Sequence, residues 1–333
     1  MEQLVTRLRA RRASTMVEAI LVAMRWVIEA LAAALLTTVP ATEQEAEPAT
    51  ENSCVFAFYS DPHGDNGYHR GAINVMISIL DEPELTEAGR PIQLVVSGGD
   101  NVDTTRNCIG CDGDNDFCSA VHPLIWDHRI PIYSAEGNHD FDFRRVNGWS
   151  SSCVEEDWPR PSRVECGSDA ALYIMPWDIG ERTIRRVNSW LDEEPRKWII
   201  LILHQPLYPC AARRQDDSRA RLYRELFEPI IGQFALVLAG HDHVYCERVF
   251  GVDGSGVRRQ VIVNSGPKHY SCAPDLVFPG ENSGDTNFCL EDEISSAILI
   301  VWTTEDEVRD EYVPIPCEQV APGTNPGPGH ESD

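Results

Sequence analysis

Apolar residues gather along this chain in short unbroken runs separated by polar turns. Such runs, rich in β-branched and aromatic residues, predict buried strands at Val55–Tyr59, Ile92–Val96, Ile130–Tyr133, Trp198–Leu203, Phe234–Ala239 and Val261–Val263, with a late one at Ala297–Trp302. Helical spacing appears at Ala72–Leu80, Glu181–Glu194 and Ala220–Ile231. In the second of these, Ile184, Val187, Trp190 and Leu191 fall on one face. Strands alternating with helices predict an α/β fold.

The polar residues after the strands are not ordinary turn residues. Ser60-Asp61-Pro62-His63-Gly64 follows the first strand, Gly98-Gly99-Asp100 the second and Gly137-Asn138-His139-Asp140 the third. His204 follows the fourth, and Gly240-His241-Asp242-His243 the fifth. Ligand sites in α/β sheets form beyond the C-terminal ends of strands, so parallel neighbours would bring all five motifs to one edge. Asp61, His63, Asp100, Asn138, His204, His241 and His243 are the candidate metal ligands. Mixed carboxylate, amide and imidazole ligation suits Mn, Fe or Zn better than Ca, which prefers all-oxygen shells.

Charge adds a constraint. The 333 residues carry a formal net charge of −25, so no binding of nucleic acid duplexes is expected. An anionic substrate would need cations supplied locally, and bound metals are one source. Arg213, Arg214, Arg219 and Arg221 form the densest basic patch after the N-terminal segment. Arg213 and Arg214 are candidates for substrate binding. The alternative is a solvated helix entry paired with Asp216 and Asp217.

The N-terminus and the cysteines point to export. Arg7, Arg9, Arg11 and Arg12 precede an apolar stretch that is cleanest from Leu31 to Val39 and exits through small residues. Residues 1–41 therefore read as a signal peptide. An uncleaved membrane anchor is the rival, though Glu18, Arg25 and Glu29 would each cost roughly 2.5–3.5 kcal/mol near a bilayer centre. A buried amphipathic helix is the third reading. Residues 42–53 read as a disordered acidic linker, 54–318 as the folded domain and 319–333 as a disordered tail. Eleven cysteines favour disulfides in an oxidising compartment, either secreted or in the periplasm or cell envelope. Proximity suggests the pairs Cys153–Cys166, Cys272–Cys289 and Cys111–Cys118. The alternating Asp112, Asp114 and Asp116 do not fit a calcium loop, because Phe117 and Pro123 stand where an EF-hand needs Gly and Glu.

Taken in order, the motifs resemble the calcineurin-like metallophosphoesterase superfamily, whose pattern is D-x-H, G-D, G-N-H-D/E, a lone H, then G-H-x-H. The resemblance implies a four-layer αββα sandwich with two mixed β-sheets. It also implies a dinuclear site of divalent or trivalent transition metals. One would be held by Asp61, His63, Asp100 and His243, the other by Asp100, Asn138, His204 and His241. The implied reaction is in-line attack on phosphorus by a metal-bridging hydroxide, with His139 serving the leaving oxygen. The second half resembles purple acid phosphatases, but Asp103 stands where those enzymes carry a Tyr bound to ferric iron. The first half is closer to serine/threonine protein phosphatases. By that analogy Asp103 would orient His139, and Asp140 is a second candidate for the same role; turn capping is the plain alternative for both. Thr104 and Thr105 stand where the protein phosphatases have Arg-Gly, which disfavours that activity. The expectation is an exported phosphoesterase acting on a small-molecule, lipid or nucleotide phosphate ester, either a monoester or a diester. Membrane contact is expected only if the N-terminal segment stays uncleaved. A non-catalytic cell-envelope binding module on the same fold and a protein phosphatase are the alternatives.

Overall fold

A computed structural model describes residues 52–64, 67–102, 113–147, 153, 160–214, 216–252, 256–266, 268–272, 286–290 and 296–315. The N-terminal segment, most of the linker and the tail lie outside the described residues. No helix among the described residues is long and apolar enough to cross a membrane.

Two mixed sheets with flanking helices make up the fold, the α/β sandwich the motifs imply. The first sheet contains β1 (Val55–Tyr59), β2 (Leu94–Ser97) and β3 (Ile132–Ser134), all parallel. Two antiparallel strands extend it beside β1, in the order β12 (Val308–Pro314), β11 (Ala297–Thr303), β1, β2, β3. The second sheet has a parallel centre of β5 (Ala170–Ile174), β6 (Trp198–Ile202), β7 (Leu236–Ala239) and β9 (Gly256–Ile262). The antiparallel β4 (Ser162–Cys166) closes one side, and β8 (Tyr245–Val252) and β10 (Thr286–Leu290) close the other.

Alternation along the strands explains the layers. Phe56, Phe58, Leu94, Val96, Leu172, Ile174, Ile200, Ile202, Leu236 and Leu238 belong to one buried cluster joining the inner faces. Their odd-numbered neighbours Ala171, Tyr173, Leu201 and Val237 point the other way and pack with side chains of two helices. Those helices are α4 (Glu181–Glu193) and α5 (Ser218–Phe227); earlier in the chain lie α1 (Gly67–Asp81), α2 (Gly113–His122) and α3 (Asn138–Asn147). Asp217 caps α5 by accepting from the amides of Arg219 and Ala220.

Three expectations are corrected. The five motifs do not share one sheet edge: those after β1, β2 and β3 leave the first sheet, while His204 and the His241–His243 turn leave the second. Cys166 pairs with Cys54, and Cys118 pairs with Cys153, in place of Cys153–Cys166 and Cys111–Cys118. Cys272–Cys289 forms, and Cys210–Cys246 joins it. Proximity along the chain misleads here because the sheets bring β1 and β4 together across 112 residues. Packing also starts before the expected domain boundary: Ser53 is buried, and the Asn52 carbonyl accepts from the Ser168 amide at 3.0 Å.

Candidate metal centre

The turns leaving the two sheets meet, and they meet under strain. Six non-glycine residues among those described have positive φ, and five of them are Asp61, His63, Asp100, His241 and His243. Such conformations cost on the order of 1–3 kcal/mol each and persist only where the surroundings enforce them. Backbone bonds between turns do the enforcing: Asp61 N donates to Gly99 O, and His63 N to Asp100 O, both at 3.0 Å. Glycine makes the close approach possible. A Cβ on Gly137 would run into the Asp100 carboxylate, and one on Gly240 into Ser60 and Asp61.

Seven predicted ligand side chains come together. Ligand atoms of Asp61, His63 and His243 lie within 4.8 Å of one another, as do those of Asp100, His204 and His241. In a third such group His63 and Asp100 are joined by His139. Asn138, at the start of α3, places its Oδ1 3.3 Å from His204 Nε2, beside the second cluster. Asp61, His63, Asp100, His204, His241 and His243 are all buried, while Asn138 and His139 are partly exposed.

The donors are aimed. His204 Nδ1 donates to Gly98 O at 2.8 Å, which turns Nε2 toward Asp100 Oδ2 at 3.3 Å and His241 Nδ1 at 3.1 Å. Asp61 accepts from the His241 amide and from Ser60 Oγ, and its Oδ1 lies 3.7 Å from His243 Nε2. His63 and His243 stack nearly parallel at 5.2 Å between ring centroids.

Electrostatics suit cations. Burial holds His63, His241 and His243 well below the usual imidazole range, so their rings are neutral and carry a lone pair. Burial, reinforced by the Asp100 charge, pushes Asp61 up to about 7. Burial works the same way on Asp100, but His204, His139 and His63 hold it well below the carboxylate range. Burial would lower His204; the Asp100 and Asp61 carboxylates outweigh it and lift the ring to about 9. Carboxylates and imidazoles so crowded would be stabilised together by divalent cations. His243 Nδ1 is buried with no hydrogen-bond partner among the described residues, as a ligand nitrogen would be. The donor set therefore fits metal ions, with Asp100 grouped both with His204 and His241 and with His63.

Around the clusters the other candidates divide. His139 N donates to Asp100 Oδ1 at 2.9 Å, its Nε2 lies 3.8 Å from Oδ2, and its ring meets His63 edge-on at 4.9 Å. Asp103 lies outside the described residues. Asp140 accepts from the amides of Gly137 and Val102 and from Asn101 Nδ2, which is the turn-capping arrangement. Arg213 is exposed and lies 3.6 Å above the Tyr270 ring, which meets His243 edge-on at 4.9 Å. Arg214 lies 3.9 Å from Asp217, and its charge helps to lower His241.

Two contributors escaped the sequence reading. Asp242, between two candidate ligands, accepts from the amides of Cys210 and Ala211 at 2.6 and 3.0 Å and ties the Arg213 loop to the site. Trp177 walls His204 and His241 at 5.5 and 5.6 Å. Its place inside the H-x-H pattern of the His241–His243 turn could have flagged Asp242. Nothing near Trp177 in sequence flags it, because its partners come from other strands.

The two-sheet sandwich and the clustered carboxylates and imidazoles at its strand ends are the features of a metallophosphoesterase fold. Residues 55–245 match the model of the calcineurin-like phosphoesterases, and the chain belongs to that family. No curated protein matches by sequence. Among solved structures, GAP50, the anchor in the inner membrane complex of Plasmodium, superposes with a TM-score of 0.53 at 16% identity, over 81% of this chain and 87% of that one. The purple acid phosphatase PPD1 from yellow lupin (Lupinus luteus) gives 0.49 at 13% identity, over 82% of this chain and 56% of that one. A dimetal phosphatase from Danio rerio gives 0.47 at 13%, over 81% and 100%. At these identities the likeness is one of fold.

Proposed function

We propose that this chain is an exported dinuclear-metal phosphoesterase that hydrolyses a phosphomonoester or phosphodiester. The observation that carries the reading is the meeting of two donor clusters, Asp61 with His63 and His243 and Asp100 with His204 and His241, linked by a third group that contains both His63 and Asp100, in a chain of the calcineurin-like family. Asp61, His63, Asp100 and His243 would hold one transition metal, and Asp100, Asn138, His204 and His241 the other. Such ions would supply Lewis acidity toward the phosphoryl oxygens and an ionisable water at neutral pH. The chain's own residues do the rest. Buried Asp100 and Asp61 supply negative charge that holds cations in a protein interior. His139, partly exposed and beside Asp100, would hold the proton for the leaving oxygen, with Asp103 orienting its ring. Arg213 and Arg214 supply positive charge at the rim for an anionic substrate. Four disulfides among the described residues support an oxidising compartment, with residues 1–41 as the export signal or anchor.

A second reading, a non-catalytic binding module, draws on the fold likeness to GAP50, an anchor by its description. The full chain loaded with Mn²⁺ or Zn²⁺ and offered an aryl phosphate and a bis-aryl phosphate separates the two. Hydrolysis of either ester that chelation abolishes is the expected result. A metal-loaded chain that cleaves neither would give the binding module the better case.

A further inference from the structure

The second cluster is walled by an indole. After β5 the chain runs through Met175 and Pro176 to Trp177, which is 8% exposed. The indole meets His204 at 5.5 Å and 62°, and His241 at 5.6 Å and 46°. One side chain thus touches both imidazoles of the cluster.

Trp177 is itself held from two sides. The Arg219 guanidinium lies 4.2 Å from the indole centroid, and its Nη1 donates to the Trp177 carbonyl at 3.3 Å. The same Nη1 lies 3.3 Å from Tyr223 Oη, which also donates to that carbonyl. On the other side the Trp177 amide donates to the Glu136 carboxylate at 3.2 Å, and the Glu136 amide donates to Met175 O at 3.3 Å. Glu136 is fully buried and directly precedes Gly137-Asn138. The Trp177 segment therefore touches the rings of two ligands and is bonded to the loop that carries a third.

We propose that Trp177 is the positioning residue of the second cluster, with Arg219 as the clamp that holds it. The indole fixes the ring orientations with which His204 and His241 meet a cation, and the Glu136 bond keeps the Asn138 loop in register with them. Removing the indole strips the packing from both imidazoles and leaves His204 with its Gly98 bond alone, so the cost falls on one metal and not the other. Outer groups that orient metal ligands are worth roughly 10–100-fold in affinity. The proposal rests on the ligand assignment above but not on the reaction.

The test measures metal binding, not turnover. Equilibrium titration of the chelated full chain with Mn²⁺ or Zn²⁺, with metal content by mass spectrometry, resolves two equivalents. In Trp177→Ala one equivalent should weaken about 10–100-fold while the other changes less than about threefold. Trp177→Phe should recover most of the loss, and Arg219→Ala should show a smaller loss confined to the same equivalent. Arg219→Ala keeps the test valid if Trp177→Ala fails to fold. Equal weakening of both equivalents, no weakening of either, or fewer than two equivalents in the wild type would overturn the proposal. A wild type that hydrolyses no ester but shows the selective loss would sink the phosphoesterase reading and leave this one standing.

Discussion

The two donor clusters are built differently. In the first, His63 and His243 stack almost parallel, 4° apart, and share Asp61. In the second, His204 and His241 stand edge to face at 75°, and His204 is fixed by a hydrogen bond to Gly98 O. The second also has the Trp177 wall; the first borders Tyr270 and the positive charge of Lys268, which helps to lower His63 and His243. Order has a different source in each. Strained backbone carries every candidate ligand of the first metal, Asp61, His63, Asp100 and His243 all having positive φ. Of the second cluster's ligands His204 and Asn138 do not, and side-chain partners take over the task.

The proposed assignment gives Asp100 to both metals, so its loss should be the largest. Asp100→Asn is expected to lower kcat/KM roughly a thousandfold or more, about 4 kcal/mol of transition-state stabilisation, and to weaken both metal equivalents. Kinetics beside metal titration check this; loss of only one equivalent would break the sharing. Next comes His139→Gln, which should cost roughly a hundredfold or more while both metals stay bound. The loss should be greater for alkyl than for aryl phosphates, because a poor leaving group needs the proton more. Equal losses on both would remove His139 from that role.

The sites should also separate by pH. His204, raised to about 9 from 6.5, contributes stability that is present below 6.5 and lost as pH rises through 9. Asp61, raised to about 7, likewise loses its contribution as pH rises toward 7. His63, His241 and His243 are pushed down, so theirs is lost as pH falls below 6.5. From pH 7 to 9 only His204 is still titrating among these, and the melting temperature of the chelated protein should fall. Saturating divalent cation should remove that fall, because a ligating imidazole is neutral throughout. A chelated protein with a flat profile over this range would contradict the His204 environment. The smallest effect is at the rim. Arg213→Ala should raise KM about fivefold, roughly 1 kcal/mol, since the group is exposed and screened.

Much of this was legible in the sequence, for a physical reason. Central parallel strands are buried on both faces, so Val55–Tyr59 and Trp198–Ile202 read as unbroken apolar runs. Edge strands such as Ser162–Cys166 and Val308–Pro314 carry charged residues toward solvent and were invisible. The clustering of the candidate ligands was legible because each follows a strand closely, in a turn or, for Asn138, at the start of a helix. Trp177 and the Cys54–Cys166 pair were not, because both depend on which strands become neighbours across long stretches of chain. Asp103 lies outside the described residues, so its pairing with His139 stays with the proposal.

Anomalous scattering from a metal-soaked crystal will show whether two cations share Asp100. Two peaks are expected, one ringed by Asp61, His63, Asp100 and His243 and the other by Asp100, Asn138, His204 and His241. A single peak, or two that do not share Asp100, would contradict it.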